Sequence, residues 1–96
     1  MITVDDDQAV AIANDTDYGL TASVITEDAR RGLAMARRLG TGIVHVNNQT
    51  VDDEPQVPFG GVKDSGYGRF GGRWGVEAFT TTRWVTLAGQ HNVFPY

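Results

Sequence analysis

The 96-residue sequence contains no cysteine, and that one absence removes several classes of function. Without a thiol there is no disulfide framework, no thiolate metal site and no cysteine nucleophile. Basic residues are few: 8 Lys and Arg against 12 Asp and Glu leave a formal net charge of −4. The first 29 residues carry seven acidic side chains and no basic one. No basic field exists to attract phosphates, which argues against a nucleic-acid or anionic-membrane partner. No apolar run approaches the roughly 18 residues that would cross a bilayer. The start, Met1-Ile2-Thr3-Val4 and three aspartates, lacks the basic and apolar regions of a signal peptide. A cytoplasmic setting is therefore expected. The length fits one domain at most, able to bury roughly 60–70% of its unfolded surface.

Glycine, by contrast, is abundant: 12 residues, seven of them between Gly60 and Gly75. That stretch is expected to be mostly irregular backbone. Before it, Asp5 caps a first helix, with Gln8 in capping-box position and Asp6 and Asp7 at the positive helix end. Asn14-Asp15-Thr16-Asp17 reads as helix exit and turn. Leu20 to Ile25 is β-branched enough for a strand. Thr26 is the expected N-cap of a second helix, whose Ala29, Leu33, Ala36 and Leu39 keep helical spacing and whose C′ residue is Gly40. Thr41 to Asn47 is a second strand. Strand, helix and strand over about 27 residues form a βαβ unit with parallel pairing, so the fold class is α/β. Thr80 to Leu87 reads as a last strand, isolated behind the glycine stretch. Two parallel strands and two helices cannot bury one another as a self-sufficient sheet, and the chain reads as a piece rather than a whole.

Several motifs have a plain reading beside a functional one. Gly66-Tyr67-Gly68-Arg69-Phe70-Gly71 satisfies G-x-G-x-x-G. The pyrophosphate mechanism also needs a strand before it, a helix after it and an acid about 20 residues on; none is expected here. Asp52-Asp53-Glu54 lacks the alternation of a calcium loop and reads as solvated. His45 and His91 have no ligand-spaced neighbours, so no metal site is assigned. Ser65 lies outside a nucleophile-elbow pattern. Phe59, Tyr67, Phe70, Trp74 and Phe79 can form an apolar wall of the kind that lines organic-substrate pockets, or fill a core beneath a long loop.

Four blocks taken together carry more. Ala13-Asn14-Asp15-Thr16-Asp17-Tyr18-Gly19-Leu20-Thr21-Ala22-Ser23-Val24 comes first, then Gly42-Ile43-Val44-His45-Val46-Asn47. Pro58-Phe59-Gly60-Gly61-Val62-Lys63-Asp64-Ser65-Gly66-Tyr67-Gly68-Arg69 follows, and finally Phe79-Thr80. In order and spacing they resemble the C-terminal part of the aldehyde dehydrogenase superfamily over roughly residues 4 to 87. The resemblance implies an enzyme oxidising an aldehyde to a carboxylic acid with NAD⁺ or NADP⁺. It implies that the cysteine, the general-base glutamate and the cofactor domain lie upstream, so this segment alone holds no catalytic residue and no cofactor. Residues 1–79 would be the end of the catalytic domain, and 80–96 the tail strand of the oligomerisation region, joining a homo-oligomer through residues 80–87.

By the same resemblance, Asn47 is the family's strand-terminal asparagine. The loop from Asn47 to Val57, with Val51 and Asp53 in it, lines the aldehyde entrance, and Phe59 is a pocket aromatic. Phe70 and Thr81 stand where many members carry glutamate, so roles tied to those acids do not transfer. Phe70-Gly71-Gly72 is closer to members acting on benzaldehyde, salicylaldehyde or vanillin. The alternative is a non-catalytic remnant that docks through its terminal strand.

Overall fold

The computed structural model describes residues 1–90 and residue 93. Helix α1 (Asp6–Asn14) begins as its sequence dictates: the Asp5 carboxylate accepts the Gln8 amide at 2.8 Å, and the Gln8 side chain accepts the Asp5 amide at 3.2 Å. Two orphan amides are satisfied reciprocally. Strands β1 (Tyr18–Gly19) and β2 (Thr21–Val24) follow, then α2 (Ala29–Ala36) and β3 (Ile43–Val46). β2 and β3 pair in parallel, Thr21 opposite Ile43 through Val24 opposite Val46. The expected α/β class and βαβ unit are thus present.

Local details differ from expectation. The N-cap of α2 is Asp28, whose carboxylate accepts the Arg30 and Arg31 amides. Thr26 acts one step earlier, its hydroxyl accepting the Asp28 amide at 3.1 Å. The ionised carboxylate is the stronger acceptor and takes the helix end. Gly40 is not a left-handed C′ residue, because α2 ends at Ala36 with Arg37 as C-cap. Asn14 explains this: its carboxamide donates to the Arg38 carbonyl at 2.8 Å and accepts the Gly40 amide at 2.7 Å. One side chain at the end of α1 thus supplies the partners that a Schellman turn would otherwise give. Lys63, at φ 53°, donates to the carbonyls of Asn14 and Thr16, both at 2.9 Å, closing the C-terminal end of α1.

The glycine stretch is more ordered than its composition suggests. It contains β4 (Val62–Lys63), antiparallel to β1, and a helix α3 (Gly72–Ala78). What it offers is close backbone approach. A Cβ on Gly42 would sit 1.9 Å from the Gly60 carbonyl oxygen, and one on Gly60 would sit 2.4 Å from that of Gly68. Ala at either place would have to push backbone aside.

Helix α1 is tied to α2 by Arg31 with Asp6, through Nε at 2.7 Å, and to the turn after α2 by Arg38 with Asp7 at 2.7 Å. The Arg31 guanidinium holds the Asp6 carboxyl below its ordinary value of 3.8. Both pairs are exposed, so they orient the helices more than they stabilise them. Thr80 to Leu87 forms no strand and pairs with neither two-stranded sheet, and Trp84, Val85 and Leu87 are exposed.

Burial is sparse. Val10 is the one buried large apolar residue among those described. The accessible area is 8222 Å², where a compact monomer of 10.4 kDa exposes about 5,400 Å². Only about 45% of the unfolded surface is covered, below the expected share. The radius of gyration is 21.4 Å, against roughly 12–13 Å for a globule of this length.

Alone, the chain should therefore self-associate or melt without a cooperative transition. Size-exclusion chromatography with far-UV circular dichroism checks this; a sharp monomer peak melting cooperatively above about 60 °C would contradict it. In the full-length protein, Gly42→Ala should lower the denaturant midpoint, costing about 1–3 kcal/mol by overpacking. Gly75→Ala, inside α3 with open space around it, should be neutral or gain up to about 1 kcal/mol. Equal responses would remove the steric argument.

Candidate functional site

β3 ends where the candidate loop begins. Asn47 continues the ladder, its amide donating to the Val24 carbonyl at 2.8 Å, and then turns left-handed at φ 61°. Asn tolerates that conformation better than most residues. Its side-chain oxygen accepts the Thr26 amide at 2.8 Å, so the residue that reverses the chain also ties it to the end of β2. The predicted site residue Asn47 is a hinge with a lock.

Beyond it, Asn48 to Glu54 lies exposed. The Thr21 hydroxyl donates to the Thr50 carbonyl at 3.2 Å, and the Ser23 hydroxyl donates to that of Asn48. The Asn48 amide donates to Asp52, and Gln56 to Glu54. Val51 is 81% exposed and, with Asp53, belongs to a loop held at its base rather than through its tip. The acidic triplet is spent on side-chain amides or turned to solvent. Among the described residues no three potential ligands converge as a metal site would require.

Phe59 comes from a second segment. Its amide and carbonyl exchange 2.8 Å bonds with those of Phe70, a two-residue antiparallel bridge. Arg69 donates from Nη1 to the Gly61 carbonyl at 2.9 Å, bracing the Pro58-Phe59-Gly60-Gly61 turn from beneath. The Phe59 ring is 37% exposed, neither core nor free. The five aromatics do not make one wall. Phe70 and Phe79 meet at 6.4 Å between ring centroids, Trp74 lies under Arg73, and Tyr67 points to solvent at 96% exposure.

The G-x-G-x-x-G run needs a correction: a short strand, β4, does precede it, and a helix, α3, does follow. Even so, the run does not fit a pyrophosphate. The Gly72 amide donates to the Pro55 carbonyl at 2.8 Å, and a Cβ on Gly71, at φ 83°, would sit 2.3 Å from the Val57 carbonyl oxygen. Backbone carbonyls occupy the place a phosphate would need. Ser65 is also structural, its Oγ accepting the Gly19 amide at 2.8 Å. His45 stands in β3 with Nε2 buried and unpartnered; His91 lies outside the described residues.

An apolar groove of about 380 Å³ runs between α1, α2 and β2, over Val10, Ala22, Val24 and Met35. Asn47, Val51, Asp53 and Phe59 do not line it, and its charged lining residues, Asp6 and Arg31, are paired with each other. The candidate site is the pair of segments Asn47–Val57 and Pro58–Gly61. Sequence reasoning missed its anchors, Thr21, Ser23 and Arg69. The signal was there: alternation along β2 puts its two hydroxyls on one face.

Against known proteins, the description "Aldehyde dehydrogenase family" matches residues 1–85. The chain is 48% identical over 91 residues to a benzaldehyde dehydrogenase of Bacillus subtilis, covering 95% of this chain and 19% of that protein. It is 52% identical over 92 residues to a vanillin dehydrogenase of Amycolatopsis, covering 94% and 19%. The crystal structure of a salicylaldehyde dehydrogenase from Pseudomonas putida G7, complexed with salicylaldehyde, superposes with a TM-score of 0.85 at 38% identity, over 98% of this chain and 19% of that one. The chain spans about a fifth of the length of these relatives. With the glycine contacts, the Asn47 turn and the parallel strand pair all set within the matched residues, the chain belongs to the aldehyde dehydrogenase family.

Proposed function

We propose that this chain is the C-terminal segment of a cytoplasmic NAD(P)-dependent dehydrogenase that oxidises aromatic aldehydes to carboxylic acids. In this reading it supplies the aldehyde-entrance loop and the oligomer-joining tail. The carrying observation is the built loop: Asn47–Val57 and Phe59 are held by specific backbone and side-chain bonds although almost nothing around them is buried. A segment with no core of its own has little reason to shape one loop so closely unless the loop works in a larger body. The uncovered area, about 2,800 Å² beyond a compact monomer, is comparable with what a large obligate interface removes from one partner. That supports residues 1–79 as the end of a catalytic domain. The apolar, β-branched Thr80 to Leu87, unpaired here, supports a strand that finds its edge on another subunit, within residues 80–96.

Oxidation of the aldehyde with water delivers a hydride to the nicotinamide, chemistry that NAD⁺ or NADP⁺ supplies when bound. The G-x-G-x-x-G run does not fit a pyrophosphate and the sequence has no thiol, so in this reading the cofactor contacts and the nucleophile come from the rest of the polypeptide. The segment's own residues orient and enclose: Phe59 presents a ring from a turn that Pro58 restricts and Arg69 braces, while Val51 and Asp53 line the approach. The names of the relatives support an aromatic substrate. A half-exposed Phe59 fits that reading, because a ring waiting for an apolar partner is neither solvated nor packed.

The purified chain, mixed with benzaldehyde and NAD⁺, should give no protein-dependent reduced-cofactor absorbance. Sustained turnover would sink the fragment reading. In the full-length enzyme, Phe59→Ala should cost about 3 kcal/mol or less of apolar contact, seen as lower kcat/KM for aromatic aldehydes with short aliphatic ones less affected. If Phe59 were core, truncation would cost about 3–5 kcal/mol of stability and harm all substrates alike. Measuring kcat/KM for benzaldehyde and a short aliphatic aldehyde, beside Tm, separates the two.

A further inference from the structure

We propose that Ser23, backed by Thr21, is the positioning residue that sets the entrance loop and through it the fit of the aldehyde ring. The inference rests on the reading of Asn47–Val57 as the aldehyde entrance. Gly32 of α2 packs on Val46, since a Cβ there would lie 2.7 Å from Val46 Cγ1. Alternation then places Val44 and Val46, with their partners Ala22 and Val24, on the helix side. Thr21, Ser23, Ile43 and His45 share the opposite face. The chain leaves β3 through left-handed Asn47 and returns over that face, where the two hydroxyls catch the Asn48 and Thr50 carbonyls. Two grips two residues apart on one strand fix both the height and the direction of the returning segment.

The seat is close-fitting. His45, directly opposite Ser23, has its Nε2 excluded from water without a partner. Such exclusion costs free energy, so whatever covers this atom has to be held there by other contacts. Asn48 is tied to Asp52, so the loop moves as one braced unit, and Val51 follows immediately on the Thr50 carbonyl that Thr21 grips. Where Val51 and Asp53 sit is therefore decided at β2. Ser23 touches no substrate in this arrangement and acts through the loop.

The experiment uses the full-length enzyme and the variants Ser23→Ala, Ser23→Thr and Thr21→Ala. Ser23→Ala should raise KM for benzaldehyde two- to tenfold, about the worth of one hydrogen bond. The kcat should stay within about twofold and the cofactor KM should not move, as expected when uniform binding is lost. Backbone amides of residues 48–54 should exchange faster with deuterium. Ser23→Thr, which keeps the hydroxyl, should restore both readouts. An unchanged aldehyde KM overturns the proposal, whatever the exchange does. So does a proportional rise in cofactor KM, or a Ser23→Thr enzyme that behaves like Ser23→Ala. If Ser23→Ala fails to fold, Thr21→Ala carries the same expectations through the Thr50 grip. If the unaltered enzyme oxidises no aromatic aldehyde, the proposed function fails, while the exchange of residues 48–54 still decides whether Ser23 anchors the loop.

Discussion

Backbone passing against backbone with no side chain between is the contact that the other features need. Gly42 meets the Gly60 carbonyl, Gly60 meets that of Gly68, and Gly71 meets that of Val57. These approaches draw the start of β3, the Phe59 turn and the start of α3 into one plane of contact. Contact between Gly42 and Gly60 closes the chain between them into one loop that contains Asn47 to Val57. Seating that segment then costs less further chain entropy. Glycine is the only residue that allows this, and its usual penalty in conformational freedom is the corresponding cost. The abundance of glycine is thus a consequence of packing geometry, not of flexibility.

A second constraint follows from how little is buried. Among the described residues Val10 is the one buried large apolar side chain, so close packing alone does not hold the segments in place. Hydrogen bonds do so instead: Asn14 closes α2 onto α1, Lys63 closes α1 onto β4, Ser65 fixes β1, and Arg69 braces the turn at Gly61. Each is modest while water competes for the same groups, and each strengthens when water is excluded. The scaffold is therefore made of bonds whose strength depends on being covered.

How much of this was readable in the sequence follows from range. The capping box at Asp5 and Gln8 and the βαβ unit rest on neighbours in sequence and were found. Thr26 and Gly40 were misassigned because the true partners, the Asp28 carboxylate and the distant Asn14, compete with the local pattern. The strand expected over Thr80–Leu87 fails for another reason. β propensity describes a surface that fits a sheet, and by itself it produces no strand without a paired neighbour. Helix α3 was hidden because Gly72 and Gly75 are poor helix formers; tertiary contact with Pro55 overrides propensity at its start. Asn47 and Phe59 are candidates by family resemblance. Their supports, Ser23 and Arg69, act across 25 and 8 residues, and no local rule reports such pairs.

Polar anchoring and incomplete burial together bear on selectivity. A loop held by hydrophobic packing settles wherever its volume fits, and neighbouring side chains can adjust by small shifts. A loop held by directed bonds at Asn47, Asn48 and Thr50 has few positions open to it, because a hydrogen bond weakens as its distance and angle leave their narrow range. The tip, at Val51 and Asp53, stays free to vary in chemistry without disturbing its base. On the proposed reading of this loop as the aldehyde entrance, such a division lets one scaffold present different entrance surfaces beside the Phe59 turn. Substitutions at the tip should change which aldehyde is admitted, whereas those at the base change how well any aldehyde is held.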